Sequence, residues 1–391
     1  MTIPLKKAPA SHRGREVAHG ESADGKAEMP RHRAIYEELL EEIQSGVYKP
    51  GERLPSEAVL CERFQASRIT VAKAFQSLQR EHLVTRRPGS GTYVERSGRP
   101  DALQFGLLIP DLGTTDIFEP ICQGIMRSPA AKSHSLSWGH SIRPETEPAK
   151  AAEHLCQQYI AQKVAGVFFA PVEYTRTRDE TNHKIALLLE NAGIPVVLLD
   201  RCFERYPDRS NLDLVGIDNH RAGYVLTRHL LQSGARRIVF AMRRNSASTV
   251  EARVAGYRNA LFSLQGGKQG TVITGDFEDP HSVKEMLEHE KPDGIVCAND
   301  LTAARLMQTL VALGVRIPAD VKMVGLDDVS YAKFLPTPLT TLRQDCAQIG
   351  TVAMEVMLDR IRQPDRPARD VHVRTELIVR SSCGAGKIDR Q

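Results

Sequence analysis

The sequence predicts an α/β protein in two parts: an N-terminal winged helix-turn-helix, then a larger body of two doubly wound parallel-sheet lobes. Three observations predict it. Residues 50–94 pair two short helical segments with a Gly-rich hairpin, whereas from Leu103 onward short apolar runs alternate with segments of helical period. About 280 residues of that alternation exceed one compact core, so two lobes are expected. Charge divides at the same place. The first hundred residues hold 17 Lys/Arg against 13 Asp/Glu, while the remaining 35 and 35 cancel, so the whole net charge of +4 sits at the head. A basic head on a neutral body points to a nucleic-acid module joined to something with a different task.

Taken in order, residues 1–29 are polar and without periodicity, and read as a disordered arm. The head spans 30–95. Arg31 to Ser45 reads as a helix with Ile35, Leu39 and Ile43 on one stripe, stopped by Gly46. A short helix from Ser56 to Phe64 follows, then the tight Gln65-Ala66 turn. Ser67 can cap a helix running to about Arg80, with Val71, Ala74, Phe75 and Leu78 as its buried stripe. Its other face carries Arg68, Ile69, Thr70, Lys73, Gln76 and Arg80. Residues 83–87 and 92–94 flank Pro88-Gly89-Ser90-Gly91, a hairpin whose glycines permit positive φ and whose tip is flanked by Arg86 and Arg87. Residues 63–99 hold eight Lys/Arg and only Glu81 and Glu95, an imbalance that DNA phosphates relieve through counterion release. A solvated basic face on a small helical domain is the plainer alternative.

A polar linker, 96–102, precedes the body, 103–380. Its expected strands are 103–109, 135–139, 164–170, 195–199, 213–217, 237–241, 270–274, 293–297 and 321–325, with two more near 339–342 and 371–379. The expected helices are 117–131, 147–162, 180–192, 220–233, 250–264, 282–290, 300–313 and 345–362. Residues 381–391 read as a frayed tail.

Several classes are disfavoured. No apolar run approaches a membrane span, and the basic N-terminus lacks a signal peptide's apolar core, so a cytoplasmic protein is expected. Seven scattered cysteines without a CxxC pair fit reduced thiols better than a disulfide or zinc framework. No Walker A sequence, HExxH helix or GxSxG elbow occurs, and Gly384-Ala385-Gly386-Lys387 has no strand before it and no Ser/Thr after it. No catalytic residue, metal or cofactor is expected.

The informative polar residues stand where strands stop: Asp200-Arg201, Asn299-Asp300, Asp327-Asp328 and Gln344, with Arg253 near the start of a helix and Phe118 after the first strand. In parallel α/β lobes such positions face a crevice. Carboxylates, an amide, a guanidinium and an aromatic together suit a sugar, whose hydroxyls need paired donors and acceptors. Each has a plainer role as well. Asn299 and Asp300 can cap the next helix, Asp200 and Arg201 can pair with one another, and Asp327-Asp328 can form a turn. Phe118 and Trp138 can be core or stacking surfaces.

The head resembles the winged-helix domain of the GntR family, on Leu54-Pro55-Ser56-Glu57, Ser67-Arg68-Ile69-Thr70-Val71, Leu78, Leu83-Val84 and Gly89-Ser90-Gly91-Thr92-Tyr93-Val94. Helix face, hairpin and resemblance together make Ser56, Glu57, Ser67, Arg68, Ile69, Thr70, Lys73, Arg86, Arg87, Gly89, Ser90 and Gly91 the expected DNA contacts. Ile69 departs from the pattern, since many relatives carry a small polar residue there. The body resembles the effector domain of LacI/GalR regulators, itself similar to periplasmic sugar-binding proteins. The residues concerned are 194–201, 215–219, Arg253 with Gly256-Tyr257, 292–300, 324–328 and 338–341 with Gln344. It implies effector contacts at Asp200, Arg253, Asn299 and Asp327 and near Phe118. The head and hinge helix of LacI-type proteins are absent, so their hinge-ordering mechanism does not transfer unchanged. The combination resembles the arabinose-repressor branch of the GntR family. It implies a homodimeric repressor of sugar-utilisation genes that binds a double-stranded operator and a small effector, a pentose foremost. A periplasmic-type solute-binding protein and a nucleobase-responsive regulator are the alternatives.

Overall fold

The computed structural model describes residues 31–49, 51–80, 83–87, 89–94, 102–109, 116–139 and 147–385. The expected arm and all of the linker except Ala102 lie outside this set, as do Pro88, Arg96 and Arg99. The chain divides into two compact units, Met1–Arg99 and Pro100–Gln391.

In the first unit, helices α1 (Arg31–Gln44), α2 (Glu57–Phe64) and α3 (Arg68–Arg80) precede strands β1 (Val84–Arg87) and β2 (Gly91–Val94). Ile35, Leu39 and Ile43 close over the buried α3 stripe of Val71, Ala74, Phe75 and Leu78 in one apolar cluster. Ser56 caps α2 by accepting from the Val59 N–H, and Gln65 ends it in the left-handed region at φ 45°. Ser67 caps α3, its Oγ accepting from the Thr70 N–H at 3.3 Å. The strands pair antiparallel from Val84 opposite Val94 to Arg87 opposite Gly91.

The second unit holds two six-stranded sheets. One runs β13-β7-β6-β5-β3-β4 and is parallel throughout; its strands are β3 (Gln104–Leu108), β4 (Ser135–Trp138), β5 (Gly166–Phe169), β6 (Val196–Leu199), β7 (Asp213–Gly216) and β13 (Asp370–His372). The other runs β14-β12-β11-β10-β8-β9, and only β14 is antiparallel. Its strands are β8 (Ile238–Met242), β9 (Thr271–Thr274), β10 (Gly294–Cys297), β11 (Lys322–Asp327), β12 (Thr340–Gln344) and β14 (Thr375–Ile378). Alternate residues of each central strand enter different cores. Val197 and Leu199 of β6 face one apolar cluster while Val196 and Leu198 face another, as a sheet covered by helices on both faces requires.

Helices α4 (Phe118–Arg127), α5 (Pro148–Gln162), α6 (Arg178–Asn191) and α11 (Cys346–Arg362) belong to the first lobe; α7 (Asn219–Gln232), α8 (Ser248–Leu264), α9 (Pro280–Glu290) and α10 (Asp300–Ala312) to the second. Each lobe contains one helix pair in backbone contact. On α7 and α8, a Cβ at Gly223 would lie 2.0 Å from the Arg253 carbonyl oxygen and one at Gly256 would lie 1.9 Å from that of His220. On α4 and α11, Gly124 and Gly350 meet the carbonyls of Ala347 and Ile121 in the same way, at 2.1 and 2.0 Å. Only glycine permits this approach, and the first pair seats the Arg253 backbone directly against Gly223. Gly256→Ala is therefore expected to force the helices apart and to cost about 1–3 kcal/mol as an overpacked site. A urea titration checks it, and an unchanged midpoint would show that the helices separate freely.

Two expectations about the C-terminus need correction. The segment 371–379 is two strands, because the chain leaves one sheet and joins the other. Asp213, fully buried at the start of β7, holds the first of these strands by accepting from Arg369 N–H at 2.9 Å and from Arg360 Nε at 2.9 Å. The beginning of the supposed tail is also structural. Ser382 is buried, with its Oγ accepting from the Thr340 N–H at 2.8 Å and donating to the Met323 carbonyl at 2.7 Å.

Candidate functional site

On the head, Ser67, Arg68, Ile69, Lys73, Gln76 and Arg80 are exposed and Thr70 is half-buried. Ile69 is 71% exposed, a large apolar side chain on an otherwise polar face. At the hairpin tip, Gly89 and Gly91 take φ values of +73° and +128°. A Cβ on Gly91 would lie 2.5 Å from Nε of Arg53, so this glycine also gives that arginine room. The Arg87 guanidinium lies 4.8 Å from the Tyr93 ring centroid. Arg86 sits 3.3 Å from the Glu57 carboxylate, so Glu57 ties the wing to α2. Arg63 does not join this cationic surface. It is held by Glu38, at 2.6 Å, and by Glu42, both on α1.

In the second unit a cavity of about 400 Å³ lies between the lobes. The first lobe contributes Asp116, Glu173, Tyr174, Asp200 and Arg201; the second contributes Arg243, Arg253, Asn299, Arg305, Asp327 and Tyr331. Most of these stand at or just beyond the carboxyl ends of strands, where parallel sheets leave a crevice.

Asp200 and Arg201 follow β6, with Asp200 at φ +67°. Arg201 is buried between two carboxylates, donating from Nε to Asp200 at 3.2 Å and pairing with Glu173. Burial disfavours its charge, but Glu173 and Asp200 more than offset that and hold its pKa above the ordinary arginine value. The other Asp200 oxygen, Oδ1, is buried with no hydrogen-bond partner. Arg253 is 5% exposed; its Nε donates to Asn219 Oδ1 and one terminal nitrogen to the Ala298 carbonyl, both at 2.7 Å. Asn299 does two things. Its Oδ1 caps α10 by accepting from Thr302 N–H at 2.9 Å, while its amide nitrogen remains available as a donor. Asp327, at φ +121°, accepts from Gln344 Nε2 at 2.7 Å. Its burial pushes its carboxyl well above the usual range, although the Arg253 charge opposes the shift.

Four expected site residues do not line this cavity. Phe118 is 2% exposed in the core, beneath Arg201, whose guanidinium lies 5.1 Å from the ring centroid. Trp138 ends the edge strand β4 and is 53% exposed, away from the lining set. Asp300 lies fully buried behind Asn299, accepting from Thr341 Oγ1 at 2.7 Å and Val329 N–H at 3.1 Å. Gln344 stands behind Asp327 and lines a second hollow of the same cleft. Asp328, paired with Arg343 and Arg380, is structural as well. Glu173, Tyr174, Arg243 and Arg305 are lining residues missing from the sequence-based set. The strand-end rule reaches the first three, since they follow β5 and β8, but the loops there carry several polar residues with nothing to rank them.

Burial pushes the Asp300 carboxyl up from 3.8 to about 7, despite the opposing Thr341 hydrogen bond. The folded protein therefore binds this proton more tightly than the unfolded chain. The contribution falls as pH rises from about 4 to about 7 and levels off above that. Asp300→Asn is expected to flatten that part of the stability profile, leaving the slope due to Asp327. Urea denaturation at several pH values measures it; a wild-type slope in the variant would mean that Asp300 is already ionised when folded.

Comparison with known proteins gives both parts a family. Residues 31–94 match the model of bacterial regulatory proteins of the gntR family, and residues 227–383 match the periplasmic binding protein-like domain. The chain is a GntR-type DNA-binding domain joined to a periplasmic-binding-protein-like domain. Over 370 residues the regulator is 27% identical to the arabinose metabolism transcriptional repressor of Geobacillus stearothermophilus, covering 90% of this chain and 98% of that protein. It is 29% identical over 209 residues to the repressor PurR of Vibrio atlanticus, 52% of this chain and 61% of that one. Its fold is shared with the regulator CcpA of Lactococcus lactis, at a TM-score of 0.61 and 21% identity over 72% of this chain and 99% of that one. The regulator CelR, in its cellobiose complex, gives a TM-score of 0.59 at 22% identity, over 81% and 92% of the two chains. The chain is thus a transcriptional regulator, as the matched relatives are. Among the described residues no helix is long and apolar enough to cross a membrane.

Proposed function

We propose that the regulator is a cytoplasmic homodimer that represses carbohydrate-utilisation genes and responds to a small sugar-like effector in the interlobe cavity. The observation that carries this is the presence, in one chain, of an exposed cationic α3-and-wing face and a polar cavity rich in unspent donors and acceptors. A two-fold dimer of such heads matches a near-palindromic operator, with α3 in the major groove and the wing on the adjacent backbone or minor groove. Arg68 and Lys73 are the leading base or phosphate contacts. One observation supports a sugar rather than a nucleobase. The Tyr174 ring, which would otherwise offer a stacking face, is covered by the Arg243 guanidinium at 4.1 Å.

Coupling has a physical basis in the bonds that cross between lobes. Tyr174 N–H donates to the Asn245 carbonyl at 2.8 Å, Ser248 Oγ to the Cys202 carbonyl at 2.7 Å, and Ala247 N–H to Glu173 at 3.3 Å. Glu173 also holds Arg201, so an effector that disturbs that pair acts directly on the seam. The effector shifts the equilibrium only insofar as it favours one lobe arrangement.

The test is selection of randomised duplexes by the full chain, followed by operator titration with and without sugars that raise its melting temperature. A near-palindromic consensus and a ligand-dependent change in affinity are expected. No enriched site, or operator affinity indifferent to every bound ligand, would sink the reading. In the same selection, Ile69→Ser should relax preference at one base pair per half-site, because an exposed Ile side chain fits a thymine methyl. An unchanged consensus would assign Ile69 to packing.

A further inference from the structure

We propose that the effector is an anionic carbohydrate, a polyhydroxy compound whose carboxylate or phosphate group is met by Arg243 and Arg253. The proposal rests on the interlobe cavity being the effector site and names what that site selects. Four guanidiniums line the cavity, and their partners separate them. Arg201 is matched by Glu173 and Asp200. Arg305 is matched by Glu278 at 3.0 Å. Arg253 donates only to neutral oxygens, those of Asn219 and Ala298. The Arg243 guanidinium lies against the Tyr174 ring, 4.1 Å from its centroid, and among the described residues makes no hydrogen bond or ion pair. Arg243, Arg253 and Tyr174 all line the same cavity, so both unmatched cations face the space a ligand would fill.

The acidic lining does not cancel them. Glu173 and Asp200 pair with Arg201, and among the described residues neither Asp116 nor Asp327 forms an ion pair with Arg243 or Arg253. Asp327 is held by Gln344 Nε2 rather than by Arg253, and burial pushes its carboxyl above the usual range against the Arg253 charge. A buried guanidinium without a carboxylate is unfavourable, and an entering anion offsets this through charge-assisted hydrogen bonds. The remainder of the cavity suits hydroxyl groups. Asp200 Oδ1 is a buried acceptor without a donor, and the Asn299 amide is a donor left over from capping α10.

Matched probes test this on the full chain by titration calorimetry: glucose against glucuronate and glucose 6-phosphate, and galactose against galacturonate. At least one charged member is expected to bind about ten- to a hundredfold tighter than its neutral counterpart, the effect of one charge-assisted hydrogen bond. Which arm responds distinguishes carboxylate from phosphate. Arg243→Gln should abolish the preference and Arg243→Lys retain part of it, with thermal unfolding confirming that both variants fold. A neutral sugar that binds as tightly as its acid overturns the proposal while leaving the cavity as effector site. A preference that survives Arg243→Gln overturns the assignment to Arg243. If no member of any pair binds, the sugar-effector reading falls and the proposal falls with it.

Discussion

Between 50 and 200 mM salt, binding of the full chain to non-operator duplex DNA is expected to weaken by roughly 10³–10⁵, the response to about 6–10 phosphate contacts. Arg68, Lys73, Arg80 and Arg87 supply four exposed cations per head outside any ion pair among the described residues, Arg86 being held by Glu57, and the proposed dimer doubles that number. Arg63 lies in the same basic stretch of sequence, but Glu38 and Glu42 already neutralise it. Arg68→Ala should therefore reduce the salt slope by about one for each phosphate left without its cation, whereas Arg63→Ala should leave the slope where it was. Fluorescence anisotropy across a salt series measures both. A flat response in the parent protein, or equal reductions from the two variants, would refute the placement of the DNA face.

The second large effect is expected at Arg253. Hydrogen bonds to charged groups contribute about 1.5–3 kcal/mol, so Arg253→Ala should weaken effector binding by roughly ten- to a hundredfold or more. The same change releases Asn219 Oδ1 and the Ala298 carbonyl from the donors they now share, so some loss of stability is expected too. Arg253→Lys separates the two consequences, since it retains the charge without the planar fork that reaches several oxygens. Calorimetry for the ligand and thermal unfolding for the fold are read together. A variant that binds effector normally would reduce Arg253 to a brace between α7, α8 and β10.

Much of this architecture was legible because local chemistry and tertiary packing agree. The stripe Val71, Ala74, Phe75 and Leu78 has one face to bury, and Ser67 has one oxygen to offer a helix that begins after it. Strands such as Val196–Leu199, apolar on both faces, can only be interior strands of a covered sheet. Strand ends then pointed to Asp200, Asn299 and Asp327, because parallel sheets place their carboxyl ends at a crevice. What sequence could not rank is which side chain at a strand end turns inward. Phe118 lies under Arg201, and Asp300 is engaged by Thr341, 41 residues away. The glycine contacts were equally hidden. Gly223 and Gly256 look ordinary in their own helices, and only the crossing of α7 and α8 makes a methyl group impossible at either.

The path of the chain through its two sheets carries a consequence for how such genes can recombine. The polypeptide passes from one lobe to the other after β7, returns after β12 to build α11, and passes over again between β13 and β14. Neither lobe is thus an uninterrupted stretch of coding sequence. A crossover between β8 and β12 leaves both lobes mosaic and separates Asp213 from Arg360 and Arg369. The head, by contrast, is one continuous segment ahead of a short linker. Recombination at that linker can exchange operator specificity while inheriting the sensor intact, which gives a physical route to a GntR-type head on a body that related regulators carry behind a different one.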